Sequence, residues 1–171
     1  MKKPIIPPHV RLNLRGARSC AAFTLRKAAR AVTNLYDSAL QPAGVRSTQF
    51  AILVAVARSQ PVSIGNLSQL LLSDRTTLTR SLALMEKDGL LSISERSTMR
   101  QRFVTLTDKG RRSVARSAPL WRKVQERYVA AIGAERWKRL QRELEKLSNV
   151  AERMEKSRRG SRKRVEEDLC N

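Results

Sequence analysis

The sequence predicts a mainly α fold with a small β wing: a winged helix-turn-helix lobe plus a helical dimerisation region. Three observations predict it. Residues 63–107 read as a short helix, a tight turn, a second helix that ends at a glycine, and two strands. Hydrophobic residues make up 41% of the 171-residue chain but aromatic residues only 4%, which favours helices packed through Leu, Ala and Val. The stretch 137–154 carries an apolar seam at alternating spacings of three and four.

Residues 1–17 read as a basic flexible arm, in which Pro4, Pro7 and Pro8 interrupt the apolar run. From Cys20 to Leu40 the pattern turns helical, with Leu25, Ala28, Val32, Leu35 and Ala39 on one face, so that 18–45 forms a first dimerisation helix. Pro42 and Gly44 are expected to end it. A winged lobe over 46–112 opens with a helix at about Ser47–Arg58, capped by Ser47 or Thr48, that buries Phe50, Leu53, Val54 and Val56. Ser63 caps a third helix that turns Ile64, Leu67, Leu70 and Leu71 inward.

Ser73 and Asp74 both suit the cap of the next helix. It keeps Leu78, Leu82 and Met85 on a buried stripe and places Arg75, Thr76, Thr77, Thr79 and Arg80 on the opposite side. An apolar back with a basic, hydroxyl-rich front matches the major groove of DNA, where base edges and phosphates need donors. Gly89 stops the helix, and strands follow at Leu90–Ser94 and Gln101–Thr107. The hairpin between them is the wing, whose Arg96, Arg100 and Arg102 are placed to meet phosphates or enter a minor groove.

Thr107 caps a long helix that runs to about Ile132, and Gly133 breaks it. The last helix carries Trp137, Leu140, Leu144, Leu147, Ala151 and Met154 along its seam. A small winged lobe has no free surface for that seam, so a second copy of the chain is expected to cover it. Residues 113–155 are therefore C-terminal dimerisation helices, and 156–171 a basic flexible tail.

The formal net charge is +20, and the first 36 residues contain no acidic side chain. Charge of that size points to a polyanionic partner, here double-stranded DNA. It also motivates an alternative, a weakly specific architectural DNA-binding protein. Enzyme classes lack their material: His9 is the single histidine, glycines form no phosphate loop, and Cys20 and Cys170 have no zinc spacing. No cofactor, metal or catalytic residue is predicted. The chain shows neither an export signal nor about 20 successive apolar residues, so a cytoplasmic protein without membrane contact is expected.

Three segments in order resemble the MarR family of bacterial transcriptional regulators. DRTTLTRSLALMEKDGLL (74–91) is similar to the family's recognition helix and its exit into the wing. LTDKG (106–110) looks like its strand-to-helix junction, and LRKAARAVTNLYD with LQPAGVRSTQF like its first helix and linker. The resemblance, over about Cys20–Met154, implies a homodimer whose two winged lobes read a palindromic operator, in this family more often a repressor. It also implies a signal, either a small aromatic or phenolic ligand or oxidation of a cysteine. Cys20 is the redox candidate, since it opens a helix at the implied dimer interface with Arg18 and Arg26 nearby in sequence. The family's wing tip usually reads Asp-x-Arg; here it is Thr98-Met99-Arg100, with the arginine kept and the acid lost.

Overall fold

The computed structural model describes residues 20–96 and 101–169, with side chains for 20–95 and 101–158. The described residues form two compact units, which divide between Arg122 and Lys123. Helix α1 (Ala21–Leu40) runs through a 3-10 turn (Gln41–Ala43) to α2 (Ser47–Ser59). Then come β1 (Val62–Ser63), α3 (Ile64–Leu70), α4 (Arg75–Lys87), β2 (Leu91–Arg96) and β3 (Gln101–Leu106). Helices α5 (Asp108–Ile132) and α6 (Ala134–Leu169) complete the order. The sheet is antiparallel in the order β1-β3-β2.

The core of the first unit gathers Leu53, Val56, Leu67, Leu78, Leu82 and Val104, each nearly inaccessible to water. These come from α2, α3, α4 and β3, which is why the expected stripes largely hold. Two expected positions differ. Leu70 is 60% exposed rather than inward, because α3 lasts only seven residues and leaves it on the outer side of the turn. In α2, Ile52 is buried and Val54 only partly so.

Helix α1 buries only Leu40 in the single chain, leaving Phe23 at 63%, Leu25 at 41% and Leu35 at 43% exposed. It ends at Leu40, just before the expected stop at Pro42, although Gln41 keeps right-handed helical angles and the proline sits in the first turn of the 3-10 segment, where its missing N–H costs nothing. Gly44, at φ +71, closes the 3-10 turn.

The cap of α2 also differs from expectation. Arg46 is the N-cap residue, and its N–H donates to Gln49 Oε1 at 2.9 Å. Ser47 instead donates from its N–H (2.7 Å) and its hydroxyl (2.6 Å) to Asp37 Oδ1 of α1. The Ser47 hydroxyl, then its N–H, and the nearby Arg46 charge hold the Asp37 carboxyl below its ordinary range, against the opposing effect of burial. Because the folded pKa is depressed, this stabilisation is complete above about pH 4 and is lost as pH falls through the folded value. Asp37→Asn should cost about 1 kcal/mol at pH 7. Melting curves of the two proteins should draw together as pH falls below about 4; a constant difference across pH would contradict the link.

Gly89 and the side chains of Glu86 and Thr107 lock the corner from which the wing rises. Gly89, at φ +70, closes α4 as its N–H donates to Glu86 O, while Leu90 N–H reaches Met85 O. Glu86 Oε1 accepts from Ile93 N–H at 2.8 Å, which ties α4 to β2. The Thr107 hydroxyl donates toward the Gly89 and Leu90 carbonyls and accepts from Gly110 N–H, capping α5 as expected.

β1 adds a third strand to the expected two, pairing Val62 with Val104 and Ser63 with Phe103. Helix α6 continues to Leu169, past the expected tail boundary at 156. Its last stretch holds only Gly160 as a breaker, an isolated cost of about 1 kcal/mol, and an Arg158–Glu155 pair at 3.0 Å carries the helix toward it. The basic arm, Cys170 and the wing-tip residues Thr98, Met99 and Arg100 lie outside the described residues.

Candidate nucleic-acid interface

Helix α4 starts cleanly because Asp74 Oδ1 accepts from Thr77 N–H at 2.9 Å. Ser73 lies outside the cap, its hydroxyl only 3.5 Å from the Asp74 carbonyl. With Leu78, Leu82 and Met85 buried, the helical repeat of about 100° per residue turns Thr76 and Arg80 directly outward. Ala83 and Lys87 continue that exposed row, at i+7 and i+11 from Thr76. Thr77 flanks it on one side, Arg75 and Thr79 on the other. Thr79 is half-buried, and its hydroxyl donates back to the Arg75 carbonyl at 2.7 Å.

Arg75 and Thr79 face a polar hollow shared with Asn66 and Gln69 of α3 and with Gln101 and Arg102 of β3. The structure thus divides the expected site residues. Thr76 and Arg80 make an outward row; Arg75, Thr79 and Arg102 meet around the hollow. Arg96 ends β2 opposite Gln101, and Arg100 falls outside the described residues. Asn66, Gln69 and Gln101 had no motif to mark them, since only the packing of α3 against the wing brings them together. Ala83 and Lys87 were available to a longer helical reading.

A second feature of the same unit is a cavity of about 760 Å³ between α1, α2, the end of α3 and α5. Its lining is mostly apolar, with Tyr36, Leu40, Phe50, Val54, Leu70 and Trp121, and it includes the cation Arg58. The rings of Phe50 and Trp121 stand 6.1 Å apart across one wall. Cys20 is exposed at the start of α1, and its side chain makes no cap hydrogen bond there. Among the described residues no group of His, Cys, Asp and Glu could hold a metal, and no helix is long and apolar enough to cross a membrane.

The same architecture is found in the M. tuberculosis transcriptional regulator MosR solved in complex with DNA, at 38% identity and a TM-score of 0.73. That likeness covers 78% of this chain and 96% of MosR. A family model described as MarR family matches residues 43–102. The chain belongs to the MarR family of DNA-binding transcriptional regulators. BadR, a transcriptional activatory protein of Rhodopseudomonas palustris, is 30% identical over 93 residues, which span 52% of this chain and 53% of BadR. The chain thus matches about half the length of that relative. The repressor CouR on a 23-mer DNA duplex shares the fold at a TM-score of 0.69 and 20% identity, over 81% of this chain and 99% of CouR.

Proposed function

We propose that this MarR-family chain is a homodimeric, sequence-specific regulator in the cytoplasm that lays α4 into the major groove of each half of a palindromic operator. The observation that carries this reading is the outward row of Thr76 and Arg80 on a helix whose opposite side is fully packed. Arg80 has the fork geometry that recognises guanine O6 and N7. Arg80→Ala should cost about 1–3 kcal/mol on the operator and far less on random DNA. Binding to both duplexes, measured at physiological salt, checks this. An equal loss on both, with a small affinity ratio in the unmutated protein, would favour the architectural alternative instead. MosR and CouR, both solved with DNA, support DNA as the partner.

Dimerisation is supported by apolar side chains left in water by the single chain. They include Phe23 and Leu25 on α1, and Leu140, Leu147 and Met154 on α6. The wing arginines Arg96, Arg100 and Arg102 extend the contact beyond α4. The direction of control depends on where the operator lies relative to the promoter; CouR is a repressor and BadR an activatory protein.

The cavity beside α1, α2 and α5 favours regulation by a small ligand over oxidation of Cys20. Aromatic walls with one cation at Arg58 suit an aromatic or phenolic acid, and CouR has been solved with p-coumaroyl-CoA. Arg58→Met should keep operator affinity but weaken the response to aromatic carboxylates about ten-fold or more, the worth of a charge-assisted hydrogen bond. Titration of a panel of such acids against the DNA complex measures it, and an unchanged response would remove Arg58 from the ligand site.

A further inference from the structure

The hollow between α3, α4 and β3 is lined by two guanidinium side chains, Arg75 and Arg102, and three carboxamides, Asn66, Gln69 and Gln101. Ser63, Ile64, Gly65 and Thr79 complete it, and the Thr79 hydroxyl donates to the Arg75 carbonyl. No carboxylate stands among the lining residues. Two cations thus share one space with amide donors and no carboxylate among its described lining, the nearest in register being Glu95, opposite Arg102 on the neighbouring strand. Such a set is matched by an anion with several acceptor oxygens, which guanidinium forks bind with two parallel hydrogen bonds. The space of about 270 Å³ also leaves room for bridging water.

We propose that this hollow is a phosphate site that takes one backbone phosphodiester of the DNA strand passing between α4 and the wing. The proposal rests on the DNA-binding reading above and divides the labour within it. Arg75 and Arg102 fix the register of the lobe on the duplex, and Arg80 reads bases. Arg75, expected from sequence among the base-facing residues, belongs to the hollow because it lies about 100° around α4 from Thr76 and about 140° from Arg80.

The test uses the full chain and an operator selected from a random-sequence pool. Affinities are measured against salt for the unmutated protein, Arg75→Ala, Arg102→Ala and the double variant, with folding of each checked by thermal melting. Each single variant should lose roughly ten-fold on operator and random DNA alike, and its salt slope should fall by about one. Replacing single linkages with neutral methylphosphonate locates the contact. One linkage per half-site should weaken the unmutated protein by a similar factor and leave the double variant unaffected.

A larger loss on operator than on random DNA would make Arg75 or Arg102 a base reader and overturn the proposal. So would a methylphosphonate effect that persists in the double variant. Inorganic phosphate, titrated against chloride at constant ionic strength and followed by phosphorus NMR, separates the other source of the same chemistry. Phosphate binding that the double variant loses, together with a flat methylphosphonate scan, would assign the hollow to a free anion and overturn the backbone contact. If the hollow variants bind DNA as the unmutated protein does while Arg80→Ala still loses specificity, this proposal fails and the DNA-reading helix stands. If the unmutated chain selects no operator, the functional reading fails first.

Discussion

Gly110→Ala should destabilise the chain by about 3 kcal/mol, and its melting temperature should fall on the order of 10 °C. Helix propensity alone predicts the opposite sign, because alanine is favoured over glycine inside a helix by about 1 kcal/mol. The difference arises from a close approach. A Cβ at Gly110 would land on the carbonyl oxygen of Leu90 and press on the Leu106 side chain. That carbonyl cannot retreat easily. It accepts from Thr107 N–H at 3.2 Å, and the Leu90 N–H is held by Met85 O at 2.9 Å, where α4 ends. The first turn of α5 would have to lift from the corner that sets the wing. Gly65→Ala in α3 is the control, since its Cβ would meet only Ser63 Oγ at 3.9 Å. It should be neutral or slightly stabilising in the same melting experiment. A Gly110→Ala protein as stable as the original would show that the corner tolerates a side chain.

Leu144→Asp should split the dimer or prevent its assembly. In the single chain Leu144 is half-buried, while Leu140 is 42% and Leu147 52% exposed along the same helix. A carboxylate in a seam covered by a second copy would be an unpaired buried charge, costing about 3–5 kcal/mol. That corresponds to a dimer dissociation constant weaker by roughly two to four orders of magnitude. Sedimentation of the unmutated protein should give a dimer at micromolar concentration and of the variant a monomer, with helix content by circular dichroism little changed. An unmutated protein that sediments as a monomer would remove both the dimer and the palindromic operator.

Features written in local chemistry were legible from the sequence. Asp74 capping α4, Gly89 ending it in the left-handed region, Thr107 capping α5 and Gly133 separating α5 from α6 each depend on neighbours within a few residues. So does the buried stripe of Leu78, Leu82 and Met85, because a helix imposes its own period. The sequence by itself therefore determined the order of the helices, the winged lobe, and which helix turns a basic, hydroxyl-bearing side outward.

Tertiary structure decided what depends on partners distant along the chain. The two residues of β1 are too few to show a period, and they become a strand only because β3 offers its edge. Ser47 was expected to cap α2, yet it donates to Asp37 ten residues earlier. Leu70 follows the apolar pattern but stays exposed, because the turn after α3 swings it to the rim of the cavity. Above all, Arg75 and Arg80 look equivalent in sequence. Packing of α3 and β3 against one flank of α4 separates them, placing Arg75 with Arg102 around the hollow and leaving Arg80 in the outward row. A helical repeat specifies the angle between two side chains, but only the neighbouring elements decide which angle meets a wall and which meets open solvent.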